Sequence, residues 1–264
     1  MLTACDAPTA RLADAAGADI ILVGDSLAMV ALGHETTLSI TMDEMIHHAK
    51  AVLRVQPRAL VVGDMPYLSY HVSIEETVRN AGRFIAEAGC TAVKIEGGRK
   101  RLRALAALAD AEVPVMGHLG LTPQSVHSMG GYRVQAKSIE AAESLLKDAR
   151  MLVESGVFAI VLEGVPAEVA ALVTSEIPVP TIGIGAGAAC DGQVLVTHDA
   201  LGLVWGESPK FVRKYADLAA DATRALTAYV EDVREGRFPD DSEAYHLPPA
   251  AADELRARMR SWKS

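Results

Sequence analysis

The sequence predicts an α/β protein whose strands close into a single (β/α)8 barrel, and three observations predict it. Eight short runs rich in β-branched residues alternate with longer segments in which Ala, Leu, Ile and Val recur at helical spacing. The length of 264 residues fits one such barrel. Half of the residues are hydrophobic but only 5% are aromatic, which is typical of a core built from many small helix-strand contacts.

The elements follow one another in a regular order. The strand candidates lie at residues 2–4, 19–25, 59–64, 92–96, 114–118, 159–163, 180–184 and 194–198. Helical segments lie between them at 8–17, 42–55, 74–89, 100–110, 139–156 and 167–175, and several end at Gly, a common residue at helix C-termini. Because a helix must carry the chain back between parallel strands, this order indicates right-handed βαβ units. Eight strands favour a barrel, and an open doubly wound sheet is the alternative.

Two longer segments interrupt the repeat, at 27–41 after the second strand and at 120–137 after the fifth. Both follow the carboxyl ends of strands, where barrel enzymes place their active-site loops. We therefore expect functional residues in or beside these loops.

The C-terminal part departs from the repeat. Residues 209–236 have helical spacing, residues 238–249 have the Pro and acidic content of an exposed segment, and a final helix is expected from Ala250 to Trp262. We therefore assign residues 1–249 to one catalytic barrel domain and residues 250–264 to a C-terminal tail that is helical.

Composition excludes several functional classes. The 25 Lys and Arg residues against 34 Asp and Glu give a net charge of −9, which does not favour nucleic acid or an anionic membrane and leaves small molecules as the expected partners. Cys5, Cys90 and Cys190 are odd in number and widely spaced, which is typical of buried thiols in a reducing compartment. No apolar run approaches the length of about 20 residues that spans a bilayer, and no signal sequence follows Met1. We expect a cytoplasmic protein.

Ionisable residues stand where the predicted strands end. They are Asp6, Asp25, Asp64, Glu96, His118 and Glu163. Strand side chains alternate, so Ile21, Val23 and Asp25 are expected to share a face, as are Lys94 and Glu96. Any one of these acids is readily explained as a helix N-cap or a solvated loop residue. Five acids in register favour a functional cluster, because like charges held together destabilise a fold unless a cation or a function offsets them.

Carboxylates without a Cys-His pattern favour a hard cation such as Mg²⁺. Asp25 and Asp64 are the expected ligands, with Glu96 as a direct or water-mediated third. Lys94 could hold a substrate carboxylate or form a structural ion pair with one of the acids. His118 could donate to a developing oxyanion or satisfy a buried polar contact.

A glycine-rich segment, Gly183-Ile-Gly185-Ala-Gly187, follows the seventh strand. Its spacing does not match the G-x-G-x-x-G fingerprint of dinucleotide-binding domains, so it is weak evidence for such a ligand. A tight turn or a close approach of the backbone to a ligand explains it better.

Ordered motifs along almost the whole chain carry a family resemblance. They are Val23-Gly-Asp-Ser-Leu27, Gly33-His34, Asp64-Met-Pro66, Val93-Lys-Ile-Glu-Gly-Gly98, Gly117-His-Leu-Gly-Leu-Thr-Pro-Gln-Ser125, Gly130-Gly-Tyr132, Leu162-Glu163, Ile182-Gly-Ile-Gly-Ala-Gly187, Asp191-Gly-Gln193, His198-Asp-Ala-Leu-Gly202 and Pro209-Lys-Phe211. In these motifs the sequence closely resembles the 3-methyl-2-oxobutanoate hydroxymethyltransferase family, also called ketopantoate hydroxymethyltransferases. A shared set this long and ordered is highly specific.

The resemblance implies a TIM barrel of the phosphoenolpyruvate/pyruvate type. It also implies an enzyme that transfers a hydroxymethyl group from 5,10-methylenetetrahydrofolate to 3-methyl-2-oxobutanoate, giving 2-dehydropantoate in pantothenate biosynthesis. Members of the family commonly assemble as decamers, so a homo-oligomer is expected. Neither the folate nor the assembly is visible in the composition or spacing of this sequence.

By the same resemblance, roles are implied for individual residues. Asp25, Asp64 and Glu96 match the Mg²⁺ site, Asp25, Ser26, Asp64, Lys94 and His118 match the contacts to the keto acid, and Glu163 matches the catalytic base. These roles agree with the chemistry of the substrate. An α-keto acid chelates Mg²⁺ through its carboxylate and keto oxygens, and the metal stabilises the negative charge that develops on enolisation.

The sequence departs from the family pattern in two places. Relatives usually carry extra residues before the first strand and a Tyr where Cys5 stands, so we expect a shortened N-terminus and a barrel floor without a covering helix. The tail at 250–264 extends past the usual end, and neither it nor Asp6 receives a function. Two alternatives remain open: a related keto-acid lyase or hydrolase with the same barrel, or an inactive barrel that serves as an assembly subunit.

Overall fold

The computed structural model describes residues 1–204, 206 and 208–262. These residues form two compact units, 1–216 and 217–264, of which the last two residues, Lys263 and Ser264, lie outside the described part. The first unit holds a parallel sheet and its surrounding helices. The division of the chain at residue 249 stays a prediction.

Eight parallel strands form one sheet in chain order, as predicted. They are β1 (Leu2–Thr3), β2 (Ile20–Val23), β3 (Leu60–Asp64), β4 (Ala92–Glu96), β5 (Val115–Gly120), β6 (Ala159–Glu163), β7 (Thr181–Ile184) and β8 (Gly192–Gln193). Leu2 makes a parallel bridge to Leu195, just after β8, and the Thr3 N–H donates to the Leu195 carbonyl at 3.3 Å. This contact joins the two ends of the sheet, and the barrel fold is confirmed.

Helices connect the strands of the first unit. They are α1 (Ala7–Ala15), α2 (Leu27–Val30), α3 (Met42–Leu53), α4 (Ile74–Arg83), α5 (Leu102–Asp110), α6 (Ile139–Glu154), α7 (Ala167–Glu176) and α8 (Thr197–Ala200). Several begin at side chains that cap the free backbone N–H groups of the first turn. At α3, Thr41 accepts from the Glu44 N–H while the Glu44 carboxylate accepts from the Thr41 N–H. A π-helical turn, Phe84–Ala88, extends α4.

The core has two layers that follow the alternation of the strands. Side chains from β2 to β7, together with Val194 just after β8, fill the barrel interior: Leu22, Val62, Ala92, Met116, Ala159, Val161, Ile182 and Val194. A larger layer lies between the strands and the helices and includes Phe84, Leu105, Leu108 and Leu152. Strand positions just beyond the interior residues, such as Lys94 and His118, therefore point toward one mouth of the barrel.

The prediction for the second strand was wrong in one respect. Ile21 and Val23 pack in the outer layer, whereas Leu22 packs inside the barrel. Asp25 does not share a strand face with them, because β2 ends at Val23 and the chain turns there. The turn, rather than strand alternation, brings Asp25 to the barrel mouth.

The eighth strand also lies earlier than residues 194–198. β8 is the short pair Gly192–Gln193, and Thr197 begins helix α8. The Thr197 N–H donates to Thr3 Oγ1 at 3.0 Å and the Thr197 hydroxyl donates to the Thr3 carbonyl at 2.5 Å. These two hydrogen bonds join residues 194–198 to β1. The backbone therefore stops being extended after the single bridge between Leu2 and Leu195.

The second unit contains α9 (Leu218–Arg234) and α10 (Pro249–Ser261), which agrees with the helical spacing in those segments. A short 3-10 turn, Asp241–Glu243, lies in the exposed segment between them. Within the described residues, no helix is both long and apolar enough to cross a membrane.

Candidate active site

The acids predicted at the strand ends meet at the carboxyl-terminal mouth of the barrel. Asp25 lies directly after β2 and Asp64 ends β3, and both are buried. The Asp25 N–H donates to Asp64 Oδ2 at 3.2 Å. Strand pairing places Lys94 beside Asp64 and His118 beside Glu96. The backbone of the sheet therefore fixes how these groups face one another.

Lys94 links the buried acids. Its Nζ lies 2.8 Å from Asp64 Oδ1 and 3.9 Å from Glu96 Oε1, and 3.2 Å from His118 Nδ1. Burial alone lowers the pKa of Lys94, but the surrounding carboxylates outweigh it and raise the pKa above the ordinary value. Lys94 is therefore a cation at the site, and the structural ion pair, one of the two roles that the sequence left open for it, is present.

His118 lies between two carboxylates. Its Nδ1 is 3.4 Å from Glu96 Oε1 and its Nε2 is 3.2 Å from Glu163 Oε2. Burial and the charge of Lys94 lower the pKa of His118, but contacts to Glu163 and Glu96 outweigh them and raise it to about 9. The imidazole is thus held as a cation that can donate a hydrogen bond at neutral pH.

The remaining acids differ in their ionisation. Burial, then the charges of Asp64 and Glu96, raise the pKa of Asp25 well above its usual range, and burial likewise raises the pKa of Asp64. Burial also favours the neutral form of Glu96, but the contact to His118 lowers its pKa overall. Asp25 and Asp64 therefore share a site in which a further cation would stabilise both carboxylates.

A divalent metal fits this pair. Asp64 Oδ1 and Glu96 Oε1 are buried and face the cationic side chains of Lys94 and His118. Within the described chain no three His, Cys, Asp or Glu side chains converge as a ready set of metal ligands. Mg²⁺ usually takes one or two carboxylates and completes its shell with water and substrate oxygens. Asp25 and Asp64 suit direct contact, and Glu96 suits contact through water.

Gln124 and Tyr70 were missed by the sequence reasoning. Gln124 Nε2 donates to Asp25 Oδ2 at 2.9 Å and to the Met65 carbonyl at 3.0 Å, and the Gln124 N–H donates to Glu96 Oε2 at 3.0 Å. The Tyr70 hydroxyl donates to Gln124 Oε1 at 2.6 Å and accepts from the Glu96 N–H at 3.3 Å. Two signals marked Gln124: its place in the 120–137 segment, which was predicted as an active-site loop, and its place in the family motif that ends at Ser125.

Glu163 and Ser26 lie nearer the opening. The Glu163 side chain is 15% exposed, against 2–3% for those of Asp64 and Glu96. Ser26 begins α2 without capping it through its side chain, and it borders a small hollow beside Gly24 and His198. Both side chains are therefore accessible to a bound molecule.

Other sequence candidates have structural roles. Asp6 caps α1, where its carboxylate accepts from the Thr9 N–H at 2.8 Å, so the helix-cap explanation holds for this acid. Cys5 is buried, and burial raises its pKa to about 11, as expected for an inert thiol. Gly185 has a φ of 61°, and a Cβ there would lie 2.8 Å from Phe211 Cδ1. This observation agrees with a tight turn.

The comparisons with known proteins decide the family. A sequence model described as ketopantoate hydroxymethyltransferase matches residues 1–241. The chain belongs to this family. A 3-methyl-2-oxobutanoate hydroxymethyltransferase from Koribacter versatilis is 59% identical over 95% of this chain and 85% of its own. One from Syntrophomonas wolfei is 56% identical over 97% and 92%.

Family membership makes the chain an enzyme, a hydroxymethyltransferase of pantothenate biosynthesis that acts on small molecules and uses a folate co-substrate. Solved structures agree with the fold at much lower identity. Phosphoenolpyruvate phosphomutase from Streptomyces platensis subsp. rosaceus superposes with a TM-score of 0.58 at 17% identity, covering 99% of this chain and 91% of its own. A 2,3-dimethylmalate lyase superposes with a TM-score of 0.55 at 16% identity, covering 99% and 90%. The barrel fold is therefore shared with these structures.

Proposed function

We propose that this ketopantoate hydroxymethyltransferase works with Mg²⁺ and transfers the one-carbon unit of 5,10-methylenetetrahydrofolate to 3-methyl-2-oxobutanoate, giving 2-dehydropantoate. One observation carries the proposal. The most exposed carboxylate of the mouth, Glu163, contacts His118 at 3.2 Å, while the acids suited to a metal lie buried beside Lys94. The proposed base and the acids proposed to bind the cation thus lie in separate parts of one site.

The buried acids and Lys94 bind and orient the keto acid. Asp25 and Asp64 would hold Mg²⁺, with Glu96 through water, and the bound metal would polarise the keto oxygen as a Lewis acid. Lys94 supplies positive charge next to Asp64 and would attract the substrate carboxylate. Ser26, the half-buried residue just before α2, would donate to the same carboxylate.

Glu163 is the proposed base. Its carboxylate would take the C3 proton of the keto acid, and His118, held as a cation, would donate to the oxygen on which negative charge develops. Water adds to the one-carbon unit and both of its C–N bonds break, which releases tetrahydrofolate and leaves the unit as formaldehyde. The carbon nucleophile then forms a C–C bond to the formaldehyde carbon, and the carbonyl oxygen takes back the proton from Glu163 to become the new hydroxyl group, so the atoms balance.

A direct assay tests this function. Protein, Mg²⁺ and 3-methyl-2-oxobutanoate are incubated with and without methylenetetrahydrofolate, and ketopantoate is measured. We expect product only with the folate present. Consumption of the keto acid without folate would instead favour a lyase or hydrolase, and a stable assembly with no turnover would favour an inactive assembly subunit.

The assembly is a further proposal. The family resemblance supports a decamer, which has ten times the 27.9 kDa mass of one chain. Light scattering on the purified protein measures this mass directly, and a monomeric mass would contradict it. The cytoplasmic location stays a prediction from the cysteine pattern and the lack of a long apolar run.

A further inference from the structure

A second concave surface lies at the same end of the barrel as the acids. The cleft has a volume of about 390 Å³ and is bordered by the loop that leaves β3, by the start of α4 and by the start of α5. This volume lies in the range of small-molecule sites. The described function assigns no role to it.

The cleft is positively charged. Lys100, Arg101 and Arg103 border it, against the single carboxylate of Glu75. None of the three cations forms an ion pair with the residues that the structure describes, whereas the adjacent Arg99 pairs with Asp148. Unpaired cations along a concave wall raise the local positive potential and concentrate anions. The ligand expected here is therefore an anion.

His71 adds an unused polar atom to the wall. Its Nδ1 is buried and has no hydrogen-bond partner among the described residues. Burial, then the positive charge of Arg101, lower the pKa of His71 to about 4, so the ring is neutral at pH 7. A buried polar atom without a partner destabilises the fold, and an oxygen-rich ligand would supply the missing bond.

Tyr70 forms the boundary between the cleft and the acidic site. On the cleft side the Arg101 guanidinium lies 5.3 Å from the centre of the Tyr70 ring. On the other side the Tyr70 hydroxyl bonds to Gln124 and to the Glu96 N–H. The Tyr70 side chain is therefore shared by the cleft and the acidic site.

Exposed apolar side chains stand on the loop that borders the cleft. Tyr67, Leu68 and Val72 are 37%, 50% and 66% exposed. Apolar groups grouped on a surface favour contact with an apolar or aromatic ligand surface. The cleft and this loop together match a molecule that is aromatic along part of its length and anionic at one end.

We propose that the cleft binds the glutamyl carboxylates of the folate co-substrate, with Lys100 and Arg103 as their ion-pair partners. The proposal rests on the proposed function, since it assumes that the folate occupies the barrel mouth. A folate joins aromatic rings to a glutamate, and each further γ-linked glutamate adds one carboxylate. Arginine is well suited to bind carboxylates through paired N–H donors. The enzyme then favours folates with longer glutamyl chains.

The test compares the double variant Lys100→Glu/Arg103→Glu with the unchanged enzyme. Arg11→Glu, on the exposed surface of α1, reverses a charge away from the cleft and serves as the matched control. The KM for methylenetetrahydrofolate with three glutamates should rise about tenfold in the double variant, and the KM for the form with one glutamate should rise less. Equal KM values for the triglutamyl form in the two enzymes would overturn the proposal.

A binding measurement separates this proposal from the proposed reaction. Calorimetry with tetrahydrofolate triglutamate requires no turnover. It therefore shows whether the cleft binds the glutamyl carboxylates even when no ketopantoate forms. Weaker binding by the double variant, with unchanged binding by Arg11→Glu, would support the assignment. Inorganic pyrophosphate distinguishes a general anion site: if it binds in a Lys100/Arg103-dependent manner while triglutamate binding is unaffected, the folate assignment is wrong.

Discussion

Glu163 Oε2 and His118 Nε2 lie 3.2 Å apart, at the only place where a partly exposed carboxylate of the described site meets its buried charge network. The same imidazole contacts Glu96 through Nδ1 at 3.4 Å. His118 thus connects the proposed base to Glu96, which lies beside the two acids proposed to bind the metal. This arrangement holds the partly exposed Glu163 carboxylate beside a cationic imidazole.

The first prediction concerns Glu163 as the base. Glu163→Gln keeps the size of the side chain but removes its ability to accept a proton, so turnover should fall by about 10²- to 10⁴-fold. Keto-acid binding in the presence of Mg²⁺ should persist, because Asp25 and Asp64 are unchanged. Steady-state kinetics and calorimetry measure the two quantities.

Glu168→Gln provides the matched control, since Glu168 is exposed on the first turn of α7, close in sequence to Glu163. It should retain the turnover of the unchanged enzyme. Normal turnover in Glu163→Gln would remove Glu163 from the role of base, and a loss of keto-acid binding would show that it acts in binding instead.

The second prediction assigns Gln124 to positioning the metal-binding carboxylates. Gln124→Leu removes the donor to Asp25 Oδ2 and the acceptor of the Tyr70 hydroxyl, both in a buried site. Loss of such supporting bonds typically weakens metal binding by about 10- to 100-fold. Titration calorimetry with Mg²⁺ should show this change, together with lower thermal stability.

Gln135→Leu is the control for this change. The Gln135 side chain donates to the Arg133 carbonyl within its own loop and contacts no acid of the site. Mg²⁺ affinity should be unaltered in this variant. If Gln124→Leu bound Mg²⁺ as tightly as the unchanged protein, the amide would have no positioning role.

The third prediction concerns the charge balance of Asp25 and Asp64. Burial and neighbouring carboxylates raise the pKa of Asp25, so its charge destabilises the metal-free protein. Asp25→Asn should therefore raise the thermal stability of the protein in chelator and abolish the stabilisation given by Mg²⁺. For the unchanged enzyme, Mg²⁺ at 100 times its Kd should add about 2.7 kcal/mol.

Thermal unfolding with EDTA and with Mg²⁺ measures both effects. Asp19→Asn, an exposed acid just before β2, is the control and should leave the Mg²⁺ response intact. An undiminished Mg²⁺ response in Asp25→Asn would exclude Asp25 as a ligand.

Much of the site could be predicted because the signal was local. Asp64, Lys94, Glu96 and Glu163 belong to strands, and Asp25 and His118 stand at or near strand ends, so hydrophobic runs mark their positions. The parallel order then brings their carboxyl ends together. The family itself was identified from motifs, and the matching relatives confirm it.

The contacts that failed prediction depend on loop paths. Gln124 reaches Asp25 across 99 residues of sequence, and Tyr70 reaches Gln124 across 54. No periodicity specifies such paths, because loop backbones follow tertiary contacts. The error in the position of the eighth strand has the same cause. Residues 194–198 have the composition of a strand, but hydrogen bonds between Thr197 and Thr3 hold Thr197 at the start of α8.

The last prediction tests how the sheet packs beneath the site. Gly63 lies on β3 next to Asp64, and a Cβ there would approach Phe84 Cδ1 to 2.2 Å. Phe84 is fully buried in the π-helical turn, so its ring has no free space into which it could move. Gly63→Ala should therefore lower the free energy of unfolding by about 1–3 kcal/mol or more and shift β3, with lower Mg²⁺ affinity as a second consequence.

Gly82→Ala is the matched control. A Cβ at Gly82 in α4 would contact nothing within 4 Å, and alanine favours helix by about 1 kcal/mol. The free energy of unfolding measured in urea should thus fall for Gly63→Ala and rise for Gly82→Ala. Equal stability of Gly63→Ala and the unchanged enzyme would refute the close packing of β3 against Phe84.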